Sequence, residues 1–156
     1  MTIQKIRSHK ELGVSALENG TVLDHIPAEN VYKALDLLGL KDIQNQITIG
    51  INLNSKAQGR KGIIKIENRF FEDDELGKLA LIAPMATVNV IRDFKVVEKK
   101  KVVLPKEVIG IAKCRNPKCV TNHQPIKTRF TTTQKGDEIS LLCHFCEKSS
   151  SIKKVF

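Results

Sequence analysis

The chain has 156 residues, of which 41% are hydrophobic and 28% charged, and its formal net charge is +9. That composition belongs to a globular chain of one ordinary domain or two small ones and excludes disordered and collagen-like classes; no apolar run approaches the ~18 residues of a membrane span. Residues 1–13 carry no apolar core of signal-peptide length, so a cytoplasmic location is expected, where four cysteines point to a metal rather than to disulfides.

In chain order, residues 20–26 (GTVLDHI) form a β-branched run that stops at Pro27, a residue suited to the first turn of a helix. Val31, Ala34, Leu35 and Leu38 follow at helical spacing, and Gly39 is the stop. Ile47, Ile49, Ile51 and Leu53 alternate with Thr48, Gly50 and Asn52, which predicts a strand with one buried face. Residues 54–62 read as a polar loop and 63–67 as a second strand, with Ile64 and Ile66 on one face. Asp73, Asp74 and Glu75 mark a helix start, Leu76, Leu79, Ala80 and Ala83 supply its apolar stripe, and Pro84 ends it. Residues 86–91 and 94–97 read as final strands. Strand, helix, strand, strand, helix, strand plus an edge strand is the split βαβ, ferredoxin-like pattern: an α+β domain with an antiparallel sheet.

Residues 98–105 form a charge run ending in a proline, which reads as a boundary between domains 1–103 and 104–156. All four cysteines lie beyond it, as Cys114-x4-Cys119 and Cys143-x2-Cys146. Two close pairs on separate turns supply the tetrahedral donor set of a structural metal, and one Zn2+ per chain is expected, although four thiolates also suit iron. Residues 126–133 and 139–142 read as strands around a turn at residues 135–137, and 152–156 as a last strand, giving a small all-β, zinc-ribbon-like domain. Four thiolates leave no open position for water, so the metal is structural. With Zn2+ bound, the net charge falls to about +7. Residues 106–156 hold 10 basic and 4 acidic residues. That excess leaves a nucleic-acid-binding zinc ribbon as the alternative reading, tested by salt-dependent DNA or RNA affinity.

The chain has no Walker loop, GxGxxG or GxSxG, and no catalytic constellation is visible. A nucleotide site would be built from side chains: Asp24 and His25 on the first strand, Lys61 and Lys65 around the third, and Lys99 after the last. The plain reading of the same residues is a solvated strand face and, for Lys99, Lys100 and Lys101, an exposed linker.

Five stretches carry a family resemblance: residues 20–28 (GTVLDHIPA), 47–53 (ITIGINL), 59–61 (GRK) with 64–68 (IKIEN), 83–89 (APMATVN), and the cysteine pairs ending in CEK. In this order the chain resembles the regulatory chain of aspartate carbamoyltransferase along nearly its whole length. The resemblance implies a non-catalytic subunit of pyrimidine biosynthesis that binds CTP, UTP and ATP as effectors, forms a homodimer, and docks on a catalytic chain through its zinc domain, with neither nucleic acid nor membrane as partner. It implies that Lys99 meets phosphates, that Asp24 and Lys65 meet ribose and base-side groups, and that Asn89 and Val96 lie nearby. The base edge would be read by backbone at Val14, Ala16 and Leu17, and His25 and Lys61 would serve a second, metal-assisted nucleotide. The four cysteines match the zinc ligands.

Overall fold

A computed structural model describes residues 16–156. The chain divides into two compact units. One runs through Val31 and takes in Asp42–Phe71 and Met85–Lys101; the other comprises Tyr32–Lys41, Glu72–Pro84 and Val102–Phe156.

The first unit is built on strands β1 (Gly20–Pro27), β2 (Ile47–Ser55), β3 (Gly59–Glu67), β4 (Thr87–Arg92) and β5 (Lys95–Lys101). They form one antiparallel sheet in the order β2-β3-β1-β4-β5, the order the split βαβ pattern predicts with β5 added at the edge. One face is the core: Leu23 pairs with Ile64 and with Val88, Thr21 pairs with Ile66, and all five are at most 1% exposed. Thr21 is tolerated there because its hydroxyl donates to the Arg69 carbonyl at 2.6 Å.

The two intervening helices are short and sharply ended. Pro27 (φ −53°) leads into a 3-10 turn, Ala28–Asn30, and then α1 (Val31–Leu37). Gly39 at φ +64° closes α1: the Leu40 N–H reaches the Leu35 carbonyl (2.9 Å) and the Gly39 N–H that of Asp36 (3.1 Å), the paired bonds of a Schellman stop. Helix α2 (Asp73–Ala80) opens with the Glu72 N–H donating to the Glu75 carboxylate at 2.9 Å. It ends at Ala80, before Pro84, in a turn held by the Ala83 N–H on the Leu79 carbonyl.

Three expectations need correction in this region. β2 is not a cleanly buried strand: Ile49 is 41% exposed, and the register slips between Gly50 and Leu53 around Asn52 at φ +61°. An edge strand has only one neighbour, and a bulge reverses the side-chain alternation beyond it. Residues 54–62 are not one loop, since β2 and β3 extend into a tight hairpin across residues 56–58. The lysine run belongs to β5, where Lys99, Lys100 and Lys101 pair with Asn89, Val88 and Thr87, and is not a linker.

Gly20 sits at φ +146° where a Cβ would lie 2.1 Å from the Ile66 carbonyl oxygen. No rotamer relieves a clash with backbone, so Gly20→Ala is expected to cost ~3 kcal/mol and lower Tm by roughly 6–12 °C, read by thermal unfolding of the full chain.

The second sheet runs β6 (Glu107–Ile109), β7 (Arg129–Lys135), β8 (Glu138–Cys143), β9 (Ser149–Ser151), all antiparallel. Val108, Phe130, Ile139 and Leu141 are at most 2% exposed. The tip of the β7–β8 hairpin is Gly136 at φ +59°. The expected last strand over residues 152–156 is instead a single helical turn, α3 (Ile152–Val155), closed by the Phe156 N–H on the Ile152 carbonyl. Ile152 and Val155 are three residues apart, a spacing that shares one face of a helical turn and falls on opposite faces of a strand, and the sheet pairing ends at Ser151.

Candidate functional site

The sheet brings distant residues into one row. Thr48, Lys65, Val22, Asn89 and Lys99 stand in register across β2, β3, β1, β4 and β5, on the face opposite Leu23, Ile64 and Val88. The next row on that face carries Asp24, Thr87 and Lys101. Val96 pairs with Ile91 beyond a second bulge and is 58% exposed on the same face. Asp24, Lys65, Asn89, Val96 and Lys99, scattered over 76 residues of sequence, thus share one surface.

At one end of it, β1 bulges between Leu23 and Ile26, and His25 takes φ +58°. Bulges re-aim side chains; this one gathers five residues. Asp24 Oδ1 accepts from the His25 N–H at 2.6 Å and lies 2.8 Å from Lys61 Nζ, with both side chains 19% exposed. His25 Nδ1 is 3.1 Å from the Thr87 hydroxyl and 3.8 Å from Asp24 Oδ1. Gln58 donates to the His25 carbonyl at 3.1 Å while its own buried Oε1 has no partner. At the other end, Ala16, Leu17, Gln46, Thr48, Lys65 and Glu67 line a cavity of about 150 Å³. Val14 lies outside the described residues. As site residues Thr87, Gln58 and Lys101 are not marked by the sequence; the strand register places Thr87 and Lys101, and the β2–β3 turn places Gln58.

Burial pushes the Lys65 ammonium below its ordinary value of 10.5, and the Asp24 carboxylate pulls it partly back. A lysine whose folded-state value is depressed loses its proton in the folded chain at lower pH than in the unfolded chain. Its cost to folding is therefore fully present below the folded value and is relieved as pH rises through it. Lys65→Met is accordingly expected to raise the Tm of the ligand-free chain at pH 7, with the gain shrinking as pH approaches 10.5. Parallel melts across that range measure it, and a lower Tm for the variant would contradict it.

The second site is the cysteine cluster. Cys114 and Cys119 come from the loop between β6 and β7, Cys143 from the end of β8, and Cys146 from the turn before β9. The Sγ atoms of Cys114 and Cys146 are 3.7 Å apart, those of Cys119 and Cys143 3.8 Å, and all four lie within 4.8 Å of one another. A tetrahedral ion with ~2.3 Å bonds to sulfur sets its ligands ~3.8 Å apart, so the donor set fits such an ion. Burial pushes the Cys114 thiol up to about 12. Burial also opposes the Cys146 thiolate, but hydrogen bonds from the Lys148 backbone N–H and the Asn116 side chain, with those of Cys114 and Cys143, together bring that thiol down to about 7. A cation supplies what four clustered thiolates lack. His144 is exposed and packs edge-on against Phe145 at 5.5 Å, outside the donor set.

Comparison with known proteins bears on both sites. Residues 12–103 match the family model for the aspartate carbamoyltransferase regulatory chain, allosteric domain, and residues 106–156 match the model for its metal binding domain. The chain belongs to the aspartate carbamoyltransferase regulatory chain family. Among similar proteins, the regulatory chain of Parabacteroides distasonis is 52% identical over 139 residues, 89% of this chain and 90% of that one. That of Phocaeicola vulgatus is 50% identical over 148 residues (94% and 95%), and that of Thermococcus sibiricus 47% over 140 (90% and 92%). The family is a non-catalytic one, its name places it in pyrimidine synthesis, and it implies a catalytic chain as partner. No helix among the described residues is long and apolar enough to cross a membrane.

Proposed function

We propose that this chain is the effector-binding arm of aspartate carbamoyltransferase: an N-terminal domain, 1–103, that binds CTP, UTP and ATP, and a zinc domain, 104–156, that docks on the catalytic chain. The observation that carries the reading is the single row holding Lys65, Asn89 and Lys99 beside Asp24. From β3 to β5 the row spans three strand spacings, about 14 Å, the scale of a nucleoside triphosphate. Lys99 at its open end suits phosphate, Asp24 suits ribose hydroxyls, and the Lys65 cavity near Ala16 and Leu17 suits a base edge read by backbone. The cluster of His25, Lys61 and Asp24 suits a second nucleotide, whose phosphates would compete with the carboxylate for Lys61.

The homodimer is best supported at β2. Of the two sheet edges, β5 is guarded by Lys95, Glu98, Lys99, Lys100 and Lys101, whereas β2 (ITIGINLNS) carries no charge and exposes Ile49. Charged edges resist strand pairing and uncharged ones invite it. The four sulfurs would hold one Zn2+, which supplies folding energy and shape and no chemistry on substrate. The assembly would work in the cytoplasm, where thiols stay reduced.

Effectors act only by binding two assembly states unequally, a coupling typically of ~1–3 kcal/mol. Calorimetric titration of the full chain with CTP, UTP and ATP, alongside sedimentation with the catalytic chain, tests the reading. Saturable nucleotide binding and co-sedimentation are expected. Salt-sensitive retention of DNA or RNA with no nucleotide binding would replace it with the nucleic-acid reading.

A further inference from the structure

Three consecutive side chains after Cys119 reach back into the loop that joins the first two cysteines. They belong to the 3-10 turn Val120–Asn122 and the residue that follows it. The Thr121 hydroxyl is 3.2 Å from Cys119 Sγ. Asn122 Nδ2 donates to the carbonyls of Cys114 (3.0 Å) and Asn116 (2.7 Å). His123 Nε2 is 2.7 Å from the Pro117 carbonyl. In a 3-10 turn successive side chains point about 120° apart, so they converge only because residues 114–119 wrap around the turn.

The donor directions are fixed by chemistry. A carbonyl only accepts, so the Asn122 amide and the His123 ring both donate. A metal-bound thiolate also only accepts, so the Thr121 hydroxyl donates to Cys119. The Asn122 amide cannot be reversed, because its oxygen would then face two carbonyls. In the observed orientation that oxygen is buried with no partner. Leaving a buried acceptor unmatched is costly, and here the cost accompanies two bonds that hold the Cys114 and Asn116 backbone.

We propose that Thr121, Asn122 and His123 form an outer clamp that positions Cys114 and Cys119 for the metal, with Thr121 also setting the donor strength of the Cys119 sulfur. These are positioning residues; none of them touches the ion. A hydrogen bond to a thiolate lowers the energy of its lone pairs, so losing the bond makes the sulfur a stronger donor. Outer-sphere partners of metal ligands are typically worth 10–100-fold in affinity. The clamp rests on the reading that a tetrahedral metal sits among the four sulfurs.

The test loads the full chain with Co2+ and follows two signals: the sulfur-to-cobalt charge-transfer band and the rate of cobalt transfer to excess EDTA. Thr121→Val keeps the side chain's shape and removes the donor. The band is expected to move to lower energy, because the freed sulfur is the stronger donor, with Thr121→Ser restoring it. Asn122→Asp keeps size, removes both donors and is expected to accelerate transfer; it also carries the comparison if Thr121→Val does not fold. A Thr121→Val chain with the band of the unaltered chain, and an Asn122→Asp chain with its transfer rate, would overturn the clamp. Absence of any charge-transfer band in the unaltered chain would overturn the metal reading beneath it.

Discussion

Replacing Cys119 with alanine should strip the metal from the chain, unfold the four-stranded sheet and abolish association with the catalytic chain. Cys119 is 1% exposed, and its sulfur lies 3.8 Å from that of Cys143. Residues 106–156 are too few to bury a core that stabilises itself. The hydrophobic contribution there rests largely on Val108, Phe130, Ile139, Leu141 and Ile152, with no disulfide among the described residues. Structural zinc typically contributes on the order of 10 kcal/mol of apparent binding energy at pH 7, so its loss exceeds anything that core could offset. Metal analysis should fall from one equivalent per chain to none, amide exchange in β7 and β8 should become fast, and co-sedimentation should disappear. A thiol-reactive mercurial should reproduce all three in the unaltered chain. A Cys119→Ala chain that still sediments with its partner would remove the docking role from this module.

Lys65→Ala and Lys99→Ala should each weaken triphosphate binding by about 10–100-fold, from the ~1.5–3 kcal/mol of a hydrogen bond to a charged group. Lys65 belongs at the upper end because it is partly buried, and Lys99, which is exposed and screened by salt, at the lower. The register supplies a control on the neighbouring residue. Lys100 pairs with Val88, on the other face of the sheet from Asn89 and Lys99. Lys100→Ala should therefore leave the affinity within ~2-fold, since surface charges off the site contribute little. Calorimetry on the three variants measures the pattern. Equal losses for Lys99→Ala and Lys100→Ala would show that the run acts as diffuse charge rather than through one face.

What the sequence made legible follows from how local each signal is. The spacing of Cys114, Cys119, Cys143 and Cys146 is itself the metal signal, because ligand pairs must sit on tight turns. The split βαβ order was legible from periodicity at Ile64 and Ile66 and from stops at Pro27 and Gly39. Less legible was whatever depends on neighbours absent from the local window. The bulge at His25 and the one at Asn52 arise where strands of unequal path are paired; Asn and His tolerate a positive φ, but residue type alone does not place a bulge. The pattern of Ile47 to Leu53 gave no sign that its strand is an edge. The strand character of Lys99–Lys101 was masked by charge, since an edge strand facing water need not alternate. Asn122 and Thr121 looked like ordinary polar loop residues because their partners are backbone carbonyls and one sulfur. Thr87 joined the site only through the pairing of β4 with β1.

The most direct measurement is the aspartate saturation curve of the holoenzyme reassembled from this chain and its catalytic partner, recorded with and without CTP, UTP and ATP. The account predicts that nucleotides at concentrations saturating the isolated chain displace the half-saturation point, and that Lys65→Ala abolishes the displacement while the reassembled enzyme stays active. Superimposable curves with every nucleotide, on an enzyme shown to contain this chain with effector bound, would contradict it.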